Sequence, residues 1–217
     1  MKWLEVNLGI KRDLSAMHTT LLEFVAPLLE DVRPRIESWH FLWESKPWPD
    51  FKGNGITLRL RFYGESNTID QIKEEIEKKL IALEKEKHEL YRGHCFGKHG
   101  ECDKDYEGEA DEWGTEAWEL GTKFLNLGSE VSLKLIKNQQ KIGRSKEYRQ
   151  PIEFYVDRYV HCFLNNIFFD QSEEIDFYLK EAIGRLYYAY TGRSLEQKTL
   201  EISISKIKTL ILKQDGN

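Results

Sequence analysis

The run Ile56-Thr57-Leu58-Arg59-Leu60-Arg61-Phe62 alternates without a fault between apolar and polar side chains. A repeat of two is the signature of a β-strand, because successive side chains leave opposite faces of the pleat. Ile56, Leu58, Leu60 and Phe62 therefore share one face, and Thr57, Arg59 and Arg61 the other. A face this apolar must be covered, and a strand cannot stand alone in water. The segment demands a sheet with a core on one side and two guanidiniums on the other.

Partners for that strand are visible on its N-terminal side. Trp3 to Leu8 alternates in the same way, and Glu37 to Glu44 reads as a further strand. Between them, Leu14, Met17, Leu21, Leu22, Val25 and Leu28 recur at helical spacing behind Asp13, a good N-cap. Arg33-Pro34-Arg35 ends that helix, since proline disfavours helix in the residue before it. Lys46 to Gly55, with its prolines and glycines, is predicted to be a loop. Ser66 to Leu90 carries an apolar stripe of Ile69, Ile72, Ile76, Leu80 and Leu83 and predicts a charged amphipathic helix. Arg92 to Asp105, rich in glycine, histidine and cysteine, reads as a loop.

Beyond it the chain turns helical, over Thr115 to Lys137, from Pro151 to about Phe168, from Ser172 to the approach of Gly192, and from about Ser194 to Leu212. Strands first and helices later predict an α+β fold. We expect an antiparallel sheet from the N-terminal half packed with helices, a helical C-terminal half, and a single domain over 1–217. At 217 residues such a chain can bury a real core.

Composition excludes some functions. The net charge of −5 offers no global basic field for nucleic acid. No apolar run approaches the roughly 18–20 residues of a membrane span, and the N-terminus has no signal-peptide core. Three cysteines, an odd number, argue against a disulfide scaffold and make a reduced cytoplasm the simplest home. Phosphate-gripping glycine loops, dinucleotide fingerprints, nucleophile elbows and HExxH motifs are all missing, so no cofactor is implied.

Three constellations could carry chemistry. Arg59 and Arg61 project from one strand face, and guanidinium forks bind carboxylates bidentately, which suits an acidic substrate or leaving group. The same pattern also fits a solvated face whose arginines pair with acids on a covering helix. On the helix opened by Pro151, His161 points away from the apolar stripe, with Asp157 one turn before it and Asn165 one turn after. A carboxylate at that spacing can orient an imidazole for acid–base work, although a plain surface histidine has the same neighbours. His94, Cys95, His99 and Cys102 fall close together, but their spacing matches no structural zinc pattern, and a flexible surface loop is the expected reading.

Four segments, taken in order, resemble the C-terminal elimination domain of lanthipeptide dehydratases, also called the thiopeptide-type biosynthesis domain. Lys2-Trp3-Leu4-Glu5-Val6-Asn7-Leu8-Gly9 followed by Arg12-Asp13 is similar to its opening strand and arginine. Trp39-His40-Phe41-Leu42 resembles the family's Trp-Phe-Phe-Ile strand, and Leu58-Arg59-Leu60-Arg61-Phe62 its His-Leu-Arg-Leu-Arg-Phe strand. Tyr106-Glu107-Gly108-Glu109, with Trp113-Gly114 and Ser129, looks like its Tyr-x-x-Glu…Tyr-Gly…Ser signature. Tyr159 to Asn165 resembles its His-x-x-x-Asn-Arg helix. The likeness spans roughly residues 2–190. Departures are Thr57 for a histidine, Trp43 for an arginine, Gly128 for an aspartate and Asn166 for an arginine.

The resemblance implies a lyase acting in ribosomal peptide natural-product biosynthesis. A separate glutamylating subunit esterifies Ser or Thr of a precursor peptide, and the elimination domain removes the α-proton and expels glutamate, leaving a dehydroamino acid. Arg12, Arg59 and His161 match the elimination residues by position, and Arg61, Asn165 and Glu109 stand beside them as candidate substrate-binding residues. Two other outcomes are compatible with the same likeness: a thiopeptide pyridine synthase joining two dehydroalanines in a formal [4+2] cycloaddition, and a non-catalytic relative that binds the peptide. The implied partners are a precursor peptide, the glutamylating subunit and a second copy in a homodimer. Neither a membrane nor nucleic acid is expected.

Overall fold

The protein is described by a computed structural model covering residues 1–44, 55–102, 104–147 and 149–150, with a few single positions beyond. The chain divides into two compact units, residues 1–142 and 143–217. The first unit holds the sheet. Four antiparallel strands, β1 (Lys2–Lys11), β2 (Ser38–Glu44), β3 (Gly55–Gly64) and β4 (Tyr91–Phe96), lie in the order β2-β3-β1-β4. The expected antiparallel α+β architecture is therefore present.

Asp13 caps the first helix as its sequence predicts, its carboxylate accepting from the Ala16 amide at 2.8 Å. Helix α1 (Leu14–Thr20) runs through a π-helical turn, Leu21–Val25, into α2 (Ala26–Val32), and a 3₁₀ turn over Arg33–Arg35 ends it. Helix α3 (Ser66–Glu86) stops four residues before the expected end at Leu90. A short α4 (Ala110–Trp113) precedes α5 (Thr115–Lys137), whose bounds are those the periodicity predicts. Helices expected from Pro151 onward lie outside the described residues.

Register assigns every side chain to a face. Leu4, Val6, Leu8 and Ile10 of β1 sit opposite Phe62, Leu60, Leu58 and Ile56 of β3. With Trp39 and Phe41 of β2 they meet the buried stripes of α1 to α3, among them Val25, Leu28, Val32, Ile69, Ile72, Ile76 and Leu80. Burial of one such aliphatic side chain is worth about 1.5–3 kcal/mol, so this cluster contributes strongly to the stability of the first unit.

One expectation fails here. The sequence predicts a loop from Arg92, yet Tyr91–Phe96 pairs with β1 from Ile10 to Val6. Gly93, at φ 121°, and a register shift between Gly9 and Ile10 interrupt the alternation that would have exposed the strand in the sequence. Pairing partners, not local pattern, make it a strand.

At the opposite edge, β2 has no further strand beside it among the described residues, and such an edge is a template for unwanted pairing. Side chains of α5 occupy its backbone groups. Ser129 Oγ accepts from the Phe41 amide at 3.0 Å, and Asn126 Nδ2 donates to the Trp39 carbonyl at 2.7 Å. The helix thus closes the edge while its own Trp118 and Leu133 go into the interior.

Candidate active site

The second face of the sheet is where the chemistry-bearing residues gather. Strand register sets Glu5 opposite Arg61 and Asn7 opposite Arg59, while His40 of β2 flanks Arg61 from the other side. This face is buried, not solvated: Glu5, Asn7, His40 and Arg61 are all 0–1% exposed and Arg59 is 8% exposed. Burying unpaired charges would be prohibitive, so the arrangement must be read as a network.

Glu5 is its centre. Its Oε2 accepts from Arg61 Nε at 2.8 Å, its Oε1 accepts from Asn7 Nδ2 at 3.0 Å and from the His99 amide, and Arg59 Nε lies 3.4 Å away. Arg59 also donates from Nε to Asn7 Oδ1 at 3.2 Å and from Nη1 to Glu44 at 3.0 Å. Arg61 Nη2 stands 2.7 Å from Glu109 Oε1 in an ion pair that is not aligned as a hydrogen bond. Tyr106 lays its ring over the Arg61 guanidinium at 4.1 Å, a cation–π contact that also shields it from water. Burial pushes the Tyr106 hydroxyl up from its ordinary range, against the opposing pull of Arg61.

The arginines therefore pair with acids, as one of the sequence readings allowed, but not on a covering helix. The acids come from the next strand (Glu5), from the edge strand (Glu44) and from the segment that follows Tyr106 (Glu109). Bringing Glu109 in requires a tight path past two indoles. Gly108, at φ 94°, suits that path: a Cβ there would press on the indoles, 3.0 Å from Trp118 Nε1 and 3.1 Å from Trp3 Nε1.

Of the six site residues expected from the sequence, Arg59, Arg61 and Glu109 come together. Arg12 is exposed in the turn between β1 and α1, outside this buried cluster. His161 and Asn165 lie outside the described residues. Sequence reasoning missed Glu5, Asn7, His40 and Glu44. A signal existed for two of them, since Glu5 and Asn7 occupy one face of β1 just as Arg59 and Arg61 occupy one face of β3.

Beside the network lies an open cleft of about 990 Å³, lined by Trp3, Tyr63, Tyr106 and Trp118 together with Lys2, Asp70, Lys73 and Lys123. Trp3 joins these walls, its ring centroid 4.8 Å from Tyr63, 5.8 Å from Tyr106 and 5.7 Å from Trp118. Tyr106 thus separates the cleft from Arg61. His40 packs edge-on against Trp3 and Trp118, and neither of its ring nitrogens has a hydrogen-bond partner among the described residues. Desolvation, helped by the Arg61 charge, lowers its pKa to about 3, so it is a neutral imidazole.

The fold has a partial counterpart among solved proteins. The fold resembles part of a lantibiotic dehydratase. The tRNA dependent lantibiotic dehydratase MibB from Microbispora sp. 107891 superposes with a TM-score of 0.52 and 22% identity, over 67% of this chain. That overlap takes in only 13% of the dehydratase. TsrL overlaps less well, with a TM-score of 0.37 and 19% identity over 63% of this chain and 35% of its own. No family model matches the chain, and no curated protein matches it in sequence. Among the described residues, no helix is long and apolar enough to cross a membrane.

The expected flexible loop also needs correction. Cys95 of β4 and Cys102 form a disulfide, with Cα atoms 5.5 Å apart, although the odd cysteine count argued against one. An odd count excludes only that every cysteine is paired within the chain, and one pair is compatible with it; Cys162 lies outside the described residues.

Proposed function

We propose that this chain is a peptide-modifying lyase of ribosomal natural-product biosynthesis, eliminating glutamate from glutamylated Ser or Thr in a precursor peptide. The observation that carries the reading is the convergence of motif segments distant in sequence. Glu5 of the opening strand, Arg59 and Arg61 of β3, and Tyr106 and Glu109 of the signature form one connected charged cluster. The fold likeness to a lantibiotic dehydratase agrees with it.

In the reaction, the Cα–H bond of the esterified residue breaks, the electron pair forms the Cα=Cβ double bond, and the Cβ–O bond releases glutamate as its carboxylate. Negative charge builds on that departing oxygen, and a preorganised guanidinium is suited to hold it. Arg59 is the candidate for that contact, because its partner Glu44 is 42% exposed and can yield to a ligand. Arg61, sealed between Glu5, Glu109 and Tyr106, is a positioning residue that fixes Glu5 and hence Arg59. His161 is proposed to carry the proton, and a separate glutamylating subunit to supply the ester.

A second reading rests on a specific observation: both arginines already have acidic partners within the chain. A non-catalytic relative that binds and delivers peptide would keep such a network for stability alone. Incubation with a glutamylated precursor peptide decides between them. Mass spectrometry should show loss of glutamate and formation of the dehydroamino acid, with Arg59→Ala and His161→Ala accumulating intact ester. Peptide binding without turnover by the unaltered protein would overturn the lyase reading, and conversion of a bis-dehydroalanine peptide would indicate a cycloaddition enzyme.

A further inference from the structure

The loop between Cys95 and Cys102 is fastened to the charged cluster by its backbone. The Gly97 amide donates to the Glu5 carbonyl at 3.2 Å, the Gly97 carbonyl accepts from Asn7 Nδ2 at 2.8 Å, and the His99 amide donates to the Glu5 carboxylate. Further on, His99 Nε2 lies 3.8 Å from Glu109 Oε1. Two sequence-separated acids that neutralise Arg61 are thus both in touch with one short strap.

Holding the strap in that shape takes constraint. His99 is the only non-glycine with positive φ among the described residues, at 53°, a left-handed conformation that persists where the surroundings enforce it. The chain turns so tightly that a Cβ at Gly97 would fall 2.1 Å from the Glu101 carbonyl oxygen. Backbone hydrogen bonds from the Glu101 amide to Lys98 and from the Lys98 amide to Lys104 hold part of it, and the disulfide adds a covalent tie from the Cys102 end of the strap to β4, where Cys95 sits opposite Asn7 in register. Its two ends differ in access: Cys95 is 4% exposed, whereas Cys102 is exposed in a turn.

We propose that the Cys95–Cys102 bond is a thiol-exchange site, opened by a dithiol reductant, whose state sets how firmly the Gly97–His99 strap holds Glu5. A reductant thiolate attacks the Sγ of Cys102, the exposed member of the pair. The Sγ–Sγ bond breaks, and Cys95 leaves as a thiolate and takes up a proton. The second thiol of the reductant then displaces Cys102, leaving two cysteine thiols here and a disulfide in the reductant. With the bond open, the left-handed turn at His99 loses its covalent brace, and the amides of Gly97 and His99 part from Glu5 more often. This inference goes beyond the lyase reading and stands whether or not that reading holds.

The test uses the full chain and reads no activity. Air-oxidised protein is unfolded, alkylated with iodoacetamide and cut with trypsin. Fragments 93–98 and 99–104 should appear joined, separating with alkylation of both cysteines only after treatment with dithiothreitol. Amide hydrogen exchange on folded protein then compares the oxidised, the reduced and the Cys102→Ser forms. The Gly97 and His99 amides should exchange at least 10-fold faster in the reduced protein and in C102S, with the β1–β3 amides unchanged as the measure of an intact sheet. Free alkylation of both cysteines without reductant would overturn the proposal. So would equal exchange at Gly97 and His99 in oxidised and reduced protein.

Discussion

Arg61 Nε donates to Glu5 Oε2 at 2.8 Å from the neighbouring strand, directly opposite in register, with both side chains out of contact with water. A buried ion pair of this kind gains little over an apolar pair of the same shape, but removing one member leaves an uncompensated charge. Glu5 also answers Arg59. Glu5→Ala should therefore cost about 3–5 kcal/mol of folding stability. Glu5→Gln, which keeps the shape and can still accept hydrogen bonds, should cost less. Urea unfolding of the three proteins checks the order, and equal midpoints for Glu5→Ala and the parent would refute the network as described.

His40 gives a pH dependence with a definite sign. Its folded pKa of about 3 lies below the ordinary 6.5, so between those values the unfolded chain binds the proton and the folded one does not. Stability from this group is complete above pH 6.5 and is lost as the pH falls toward 3, at up to about 1.4 kcal/mol per pH unit. His40→Phe removes the effect and replaces two buried nitrogens, unpartnered among the described residues, with apolar ring atoms. Thermal unfolding between pH 4 and 7 should show the variant flatter with pH and more stable at pH 5. Parallel profiles would show that the imidazole is not held neutral.

Ser129 and Asn126 close the β2 edge, so their loss exposes strand groups rather than emptying the core. Ser129→Ala strands the buried Phe41 amide and should cost about 1–3 kcal/mol. Joined with Asn126→Ala, which frees the Trp39 carbonyl, it should promote self-association through the edge. Light scattering at rising concentration reads this, and a monodisperse double variant would argue that α5 does not guard the strand.

Gly97→Ala tests the strap by a route independent of the sulfurs. A methyl group there meets the Glu101 carbonyl at 2.1 Å, so the turn must open and the bonds to Glu5 and Asn7 must lengthen. A loss of about 2 kcal/mol or more is expected, in the range of a forced backbone shift. Gly143→Ala, where a Cβ meets nothing within 4 Å, is a control for glycine's own conformational cost at positive φ.

Much of the frame was legible without coordinates. Period-two alternation located β1 and β3 and assigned their faces, a 3.6-residue stripe gave α5 its observed bounds, and Asp13 announced the cap it makes. These are local properties, set by backbone geometry and by which side chains avoid water within a dozen residues. The charges on the polar face of β3 were visible too, but their meaning was not. Whether Arg59 and Arg61 meet water, substrate or an acid depends on which strand lies alongside, and in what register.

The sequence by itself determined β1, β3, α5 and one apolar face, because periodicity is written within each of those segments. Only the tertiary structure decided that Glu5 opposes Arg61, that Tyr91–Phe96 is a strand, and that Cys95 meets Cys102. Each of those joins residues through contacts between segments, or through a turn whose shape neighbouring segments enforce. A one-residue slip in register would turn Glu5 to the other face and leave both guanidiniums without it.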